Sequence, residues 1–266
     1  MNFIPLSEDQ LRQLIDAESV FVAWEQAKQN ASSVRGSMFW RVDKGKDYLV
    51  RATASAKQER LGVRSAETEG IYLRFVQRKA AAQERLASLG RALERHRRMN
   101  LALHVGRCPN IVQKILEQLD RQGLAEHFLT VGTHALYSFE TAAGVRVMPD
   151  ALATRDVDVI RRTAKDGDPH PLRMSHPDED LWAVQVDSGE KMLGAARFSQ
   201  VIVSANGAMA RMTTIAPDAF VKLKRKLAVS ASRDPLKRPK DALQAVVVQQ
   251  LIDDYMIGLR GGAPVL

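Results

Sequence analysis

Two stretches in the middle of the chain decide the fold: FLTVGTHA at residues 128–135 and RDVDVI at residues 155–160. The first begins with a short, mostly apolar run that is typical of a buried strand, and Gly132 and Thr133 then interrupt it. The second is predicted to be another strand, and a helix over 134–141 fills part of the interval. The sequence therefore predicts a core in which strands and helices alternate.

The second strand carries two carboxylates on one face. Side chains at positions i and i+2 of a strand point the same way, so Asp156 and Asp158 project together. Paired carboxylates can bind one or two Mg²⁺ ions, which prefer oxygen ligands and are completed by water and phosphates. Gly132 lets the backbone approach a phosphate, and Thr133 adds a hydroxyl where a helix begins and an anion is favoured. A lone Asp-x-Asp is more often a solvated edge, so the order of strand, Gly-Thr, helix and Asp-x-Asp carries this prediction.

Apolar periodicity and turn residues predict the elements on both sides of this core. Ser7 and Gln10 form a capping box that starts a helix, and Asn206-Gly207 favours a type I′ turn between two strands. The predicted flanking elements are helices over 8–29, 66–101 and from 110, hairpins over 39–52 and 198–215, and helices over 219–229 and from 239 to about 259.

These elements predict an α/β (α+β) fold in three regions. Residues 1–125 are expected to form a mainly helical region with a β-hairpin near 38–53. Residues 126–216 are expected to form the central core, and residues 217–266 a basic helical segment.

The charge is unevenly distributed along the 266 residues, whose net charge is +8. It is +6 over 1–130, −3 over 131–221, +7 over 222–240 and −2 over 241–266. An acidic middle between basic flanks suits a carboxylate site with an anionic partner nearby, although a solvated surface would look the same. The single cysteine, Cys108, makes neither an intramolecular disulfide nor a thiolate zinc site, and we expect it to be buried. We also expect no secretory signal, no membrane span and a cytoplasmic location.

The two central motifs together resemble the DNA polymerase β-type nucleotidyltransferase superfamily. The residues that carry the resemblance are Val131-Gly132-Thr133-His134-Ala135 and Arg155-Asp156-Val157-Asp158-Val159. The chain is more closely similar to a bacterial nucleotidyltransferase-like branch, from about residue 36 to 252. The further stretches are Phe39-Trp40…Gly45…Tyr48-Leu49, RFSQVIV at 197–203, DPLKRPKD at 234–241 and Gln244-Ala245. The resemblance implies a nucleotidyltransferase-type mixed sheet with helices, a magnesium site, and transfer of a nucleotidyl group from an NTP.

The resemblance also implies roles for individual residues. The implied metal ligands are Asp156 and Asp158, in a two-metal Mg²⁺ site for which Mn²⁺ is an expected substitute. The implied nucleotide-binding residues are Gly132, Thr133, Lys224, Arg238 and Lys240. The family places a third carboxylate on a following strand, where this chain has no clean match. The candidates are Asp168, in a Gly- and Pro-containing loop, and Asp187, after an apolar run.

Simpler explanations stay open for the basic residues. Lys222, Lys224 and Lys226 are spaced by two and cannot share one helix face, so a solvated basic surface is the alternative to phosphate binding. The arginines within 91–98 either complement the helix dipole or form a phosphate-contacting patch. Lys240 and Asp241 also suit an ordinary helix start.

We therefore expect a Mg²⁺-dependent enzyme that moves an NMP group from an NTP to a hydroxyl acceptor. RNA, tRNA in particular, is the acceptor favoured by the basic flanks, and a protein side chain or a small molecule stays open as the acceptor. Related folds serve as toxins in bacterial toxin–antitoxin pairs, so a growth-inhibiting role is a further expectation by analogy. One alternative is a catalytically degenerate nucleotide- or RNA-binding protein on the same fold. Another is a helical nucleic-acid-binding regulator, in which the two central strands would not adjoin.

Overall fold

The computed structural model describes residues 2–53, 55, 57–152, 159–161 and 194–256. Helices and short antiparallel sheets are both present, which confirms the predicted α+β class. The chain divides into two compact units, one of residues 15–98 and the other of residues 1–14 and 99–266. The three-region division expected from the sequence stays a prediction. Within the described residues, no helix is long and apolar enough to cross a membrane.

The unit of residues 15–98 contains a three-stranded antiparallel sheet and parts of two long helices. Helix α1 spans Glu8–Ser33 and helix α2 spans Ala66–Ala102, and both continue into the other unit. The strands are β2 (Ser37–Asp43), β3 (Lys46–Ala52) and β4 (Gln58–Val63), in the order β2-β3-β4.

The predicted helices α1 and α2 and the predicted hairpin of β2 and β3 are confirmed. At the capping box, the Ser7 N–H donates to Gln10 Oε1 over 3.0 Å and the Gln10 N–H donates to Ser7 Oγ over 3.3 Å. The hairpin closes through Lys44 and Gly45, both at positive φ, as a two-residue hairpin turn requires. Strand β4 was not predicted because its sequence, QERLGV, is mostly exposed and does not alternate.

The described residues of the other unit contain three pairs of short antiparallel strands. Its strands are β1 (Phe3–Pro5), β5 (Phe128–Thr130), β6 (Val145–Val147), β7 (Val159–Arg161), β8 (Arg197–Val203) and β9 (Met209–Ile215). They pair as β1-β6, β5-β7 and β8-β9, all antiparallel, and β5 also lies beside β9.

The helices of this unit supply most of its largest core cluster. They are α3 (Asn110–Arg121), α4 (Leu136–Ala143), α5 (Pro149–Leu152), α6 (Pro217–Val229) and α7 (Arg238–Asp254). Phe139 of α4 is fully buried, and its ring lies 5.4 Å from that of Phe220 and 5.6 Å from that of Phe198. Helices α6 and α7 pack along each other, and α7 also contacts α4 and α5.

Two local predictions need correction. The hairpin of β8 and β9 forms as expected, but Asn206 is not at positive φ, so its turn is not type I′. Instead the Asn206 side chain accepts the Ala208 N–H over 3.0 Å and the Ser204 hydroxyl over 2.7 Å, which closes a longer loop. The last helix ends at Asp254 rather than near 259, because Tyr255 leaves the helical conformation at φ −126°.

The chain enters and leaves the unit of residues 15–98 at points that lie side by side. Gln13 precedes the unit and Asn100 follows it, and Gln13 Nε2 donates to Asn100 Oδ1 over 2.9 Å. Both side chains are buried, and Asn100 Nδ2 donates to the Gly207 carbonyl over 3.1 Å. The two crossing points are thus joined to each other and to the β8–β9 loop.

Candidate functional site

The Gly132 turn connects strand β5 to helix α4. Val131 is extended, Gly132 has a φ of +67°, and a 3₁₀ turn over Gly132–Ala135 leads directly into α4. A left-handed φ is costly for any residue with a Cβ, which explains why glycine stands at this position. Thr133 and His134 are buried, and no described side chain caps the start of this helical segment. The turn therefore presents helix-start N–H groups, the arrangement that binds anions in other proteins.

The pairing of β5 with β7 brings the two central motifs of the sequence to neighbouring strands. Thr130, at the end of β5, pairs with Val159, at the start of β7. Val159 directly follows Asp158 in the sequence, and only Val131 separates Thr130 from Gly132. The adjoining strands that the helical-regulator alternative excluded are thus present.

Several predicted site residues lie outside the described residues. They are Asp156 and Asp158, with the third-carboxylate candidates Asp168 and Asp187. Among the described residues, no group of three His, Cys, Asp or Glu side chains could hold a metal ion. The metal ligands expected from the sequence therefore stay predictions.

Gln244 of helix α7 contacts the Gly132 turn through a hydrogen bond to Thr133. Its side chain is fully buried, and Nε2 donates to Thr133 Oγ1 over 3.0 Å and to the Ala151 carbonyl over 2.8 Å. Its Oε1 is buried and accepts no hydrogen bond from the residues that the structure describes. The Thr130 hydroxyl, at the end of β5, is also buried without a partner there. Buried polar atoms normally find partners, so each of these two oxygens is left to a group outside the described residues.

Lys224 lies in a buried ionic cluster between helices α6 and α7. Its Nζ is 2.7 Å from Asp241 Oδ1, and Arg233 Nε is 2.7 Å from Asp241 Oδ2. The side chains of Lys224 and Asp241 are 6% and 2% exposed, whereas that of Arg233 is 31% exposed. Burial by itself raises the pKa of the Asp241 carboxyl, but hydrogen bonds from Arg233 and Lys224 outweigh it and hold the pKa below its ordinary value.

The other predicted basic residues lie near this cluster at the start of α7. The Arg238 guanidinium donates to the carbonyls of Arg233 and Ala231, over 3.1 Å and 3.0 Å, and so fastens the loop before the helix. Lys240 is half-buried one residue before Asp241, while Lys222 and Lys226 are exposed. Contact of Lys224, Arg238 and Lys240 with nucleotide stays a prediction.

Helix α7 joins the two parts of the candidate site. Asp241 and Gln244 are three residues apart, and both lie on the buried face that also carries Val248 and Leu251. Asp241 holds Lys224, and Gln244 holds Thr133. Sequence reasoning missed the contacts of both residues, although a carboxylate and an amide within an apolar helical stripe were a readable signal.

A second buried ion pair lies outside this site, beside a small pocket. Arg107 contacts both Glu140 oxygens, at 3.0 Å and 2.7 Å, and also donates to the Val147 carbonyl. Burial raises the pKa of Glu140 although Arg107 opposes it, and burial raises the pKa of Tyr137 to about 12. Cys108 is 1% exposed, which confirms the expected buried thiol, and burial raises its pKa well above the ordinary value. This cluster ties strand β6 to α4.

A family model described as "Nucleotidyltransferase" matches residues 110–166 and 160–259. Together the two segments cover more than half of the 266 residues, from the start of α3 to beyond α7. No curated protein and no solved structure matches the chain. The matched segments contain the Gly132 turn, the Asp-x-Asp motif and the α6–α7 cluster. The chain belongs to this nucleotidyltransferase family.

Proposed function

We propose that the protein transfers a nucleotidyl group from an NTP to an RNA hydroxyl, at a magnesium site beside the Gly132 turn. Membership of the family supports nucleotidyl transfer as the reaction class. The pairing of Thr130 with Val159 carries the proposed site, because it places the strand that ends two residues before Gly132 beside the strand that begins one residue after Asp158. We also assign the family to the DNA polymerase β-type superfamily, in a bacterial branch, on this combination of motifs.

In the proposed site, the Gly132 turn holds the triphosphate. Its left-handed backbone and the helix start behind it present N–H groups to a phosphate, and Thr133 adds a hydroxyl. Gln244 fixes that hydroxyl, so its direction is set before nucleotide binds. Lys224, Arg238 and Lys240 are the candidate cations for the phosphates of nucleotide or acceptor, and Lys224 would have to exchange its contact with Asp241 for a phosphate. Asp156 and Asp158 would hold Mg²⁺, which would supply charge neutralisation at the phosphates.

The reaction is an in-line displacement at the α-phosphorus. The acceptor hydroxyl oxygen forms the new bond to phosphorus, while the bond to the oxygen bridging the α- and β-phosphates breaks. Pyrophosphate leaves with that electron pair. The hydroxyl proton passes to a carboxylate oxygen, for which Asp168 and Asp187 are the candidates.

The test is an incubation of purified protein with each α-labelled NTP and Mg²⁺, or Mn²⁺, with and without total RNA. The inactive variant is Asp156→Ala with Asp158→Ala. Its matched control, Asp150→Ala with Asp218→Ala, removes two exposed carboxylates from the same unit. We expect label on RNA with the wild type and with the control, and none with the inactive variant.

Two other results would change the conclusion. Label on the protein itself would replace RNA by a protein acceptor. NTP or RNA binding without label under any condition would favour a degenerate binding protein of the same fold. The proposed toxin-like role predicts growth arrest when the wild type is expressed in bacteria, and normal growth with the inactive variant.

A further inference from the structure

Most of the net positive charge belongs to the unit that precedes the matched family segments. Residues 15–98 contain 17 Lys+Arg against ten Asp+Glu, a net charge of +7 out of +8 for the whole chain. The family match begins only at residue 110. A separate, strongly basic unit is the electrostatic footprint expected for a polyanion partner.

One face of the three-stranded sheet in this unit is directed at helix α2. Trp40 pairs with Leu49 across β2 and β3, and the Trp40 ring lies 5.9 Å from the ring of Tyr72 on α2. On the same face, the Arg51 guanidinium lies 4.1 Å from the centre of the Phe75 ring of α2. The opposite face therefore points away from the helix that supports the sheet.

That opposite face carries alternating aromatic and arginine side chains, which we call the aromatic–arginine face: Phe39, Arg41, Tyr48 and Arg60. The Arg60 guanidinium lies 4.1 Å from the Tyr48 ring centre, and that of Arg41 lies 5.6 Å from the Phe39 ring centre. Val50, which pairs with both Phe39 and Arg60, is only 3% exposed. Its neighbours Phe39 and Tyr48 are half-buried.

The two arginines of the aromatic–arginine face, Arg41 and Arg60, are accessible to solvent. Both are exposed, and the Arg60 side chain is 49% exposed even though its Nη2 lies 2.8 Å from Asp43 Oδ2. Arg41 donates to Gln58 Oε1 over 2.7 Å. Exposed contacts of this kind contribute little free energy and exchange readily for contacts to a ligand. Aromatic rings and guanidinium planes are the groups on which unpaired bases stack, and guanidinium groups also bind phosphates.

We propose that the aromatic–arginine face binds single-stranded RNA, with bases on Phe39 and Tyr48 and phosphates at Arg41 and Arg60. The proposal rests on the proposed function in taking RNA as the acceptor, and it assigns RNA binding to the unit of residues 15–98. An unpaired strand fits because paired bases in a duplex do not offer their faces to an aromatic ring.

The test measures binding of a fluorescently labelled single-stranded RNA by anisotropy, without NTP, against a duplex of the same sequence. Tyr48→Leu removes the ring, and Tyr48→Phe keeps it as the matched control. Arg41→Gln with Arg60→Gln removes two charges from the face. Arg78→Gln with Arg85→Gln removes two exposed charges from α2 of the same unit. Circular dichroism checks that each variant is folded.

We expect the single strand to bind more tightly than the duplex. Tyr48→Leu should weaken binding at least about fivefold and Tyr48→Phe should not, since a stacked base contributes roughly 1–3 kcal/mol. Losing Arg41 and Arg60 should lower the slope of log K against log salt by about 1.4, because each phosphate contact to a single strand contributes about 0.7. The Arg78 and Arg85 variant should change the slope less.

Three results would overturn the proposal: no RNA binding, equal binding by Tyr48→Leu and wild type, or an equal effect of the two arginine pairs. The proposed function is tested separately by the labelling experiment. RNA binding that depends on the face, without any label transfer, would support this inference and contradict the proposed nucleotidyltransferase activity. Label transfer to RNA that the face variants do not alter would support the proposed activity and contradict this inference.

Discussion

The buried pair of Lys224 and Asp241 makes the sharpest prediction for stability. Asp241→Asn keeps the shape of the side chain but removes the negative charge that lies 2.7 Å from both Lys224 Nζ and Arg233 Nε. Lys224 is 6% exposed, so its ammonium group cannot turn to water for compensation. Removing one partner of a buried pair typically costs about 3–5 kcal/mol. We expect a loss of that size in the free energy of unfolding, or roughly 6–20 °C in Tm for a protein of this length.

The assay is urea unfolding followed by tryptophan fluorescence and circular dichroism at pH 7. Lys222→Met is the control, because Lys222 is on the same helix, its side chain is 79% exposed, and its Nζ lies 3.8 Å from Asp218. We expect the control to change stability by less than about 1 kcal/mol. The double variant Lys224→Met with Asp241→Asn should recover a large part of the loss, because it also removes the buried ammonium group that Asp241 neutralises. If the double variant loses as much stability as Lys224→Met and Asp241→Asn added together, the result would refute the buried-pair argument.

The same pair has a pH signature of known sign. Because the pKa of Asp241 is lowered on folding from its ordinary value of 3.8, its contribution is complete above that value. It disappears as pH falls through the lower folded value. Below about pH 4, the free energy of unfolding of the wild type should therefore fall more steeply with pH than that of Asp241→Asn, which lacks this titrating group. If the two free energies fell in parallel below about pH 4, the result would contradict an ionised pair.

Three further outcomes follow from the site and the core. Gly132→Ala should destabilise the protein by about 1–2 kcal/mol in urea unfolding, because φ is +67° there, and an unchanged midpoint would contradict that backbone geometry. Gln244→Leu removes the donor to Thr133 Oγ1 and to the Ala151 carbonyl. We expect the free energy of unfolding to fall by about 1–3 kcal/mol and the KM for NTP to rise. An unchanged KM would show that nucleotide binding at the turn does not need this support. Cys108 should react with a thiol reagent only after unfolding, because it is 1% exposed and its pKa is raised by burial, so rapid labelling of the native protein would be evidence against this burial.

Local signals in the sequence were sufficient for most of the fold. The capping box of Ser7 and Gln10, and the apolar spacing of the long helices, predicted α1 and α2 to within a few residues. Two strands, β1 and β4, were not predicted. Strand β1, of three residues, is too short to show a period, and β4 is exposed and polar, so its pairing with β3 gives no apolar alternation.

The candidate site was predictable only in part, because its contacts join residues far apart in the chain. Gly132 was readable from local sequence, since a glycine that ends a buried strand suggests a special backbone conformation. The bond from Gln244 to Thr133 spans 111 positions, and no local pattern encodes it. Lys224 was expected at a phosphate on the strength of resemblance, and its contact with Asp241 depends on how α6 and α7 pack.

The hydrogen bond between Gln13 and Asn100 bears on how such a chain could diversify. It joins Gln13, just before the basic unit, to Asn100, just after it, so the two ends of that unit's chain are held together within residues 1–14 and 99–266. A segment whose two ends are held together can become longer or shorter, or be exchanged, without moving the elements of the other unit, since the distance between its ends is already set. Under the proposed function, a change of acceptor would then require a change within residues 15–98 and none in the other unit.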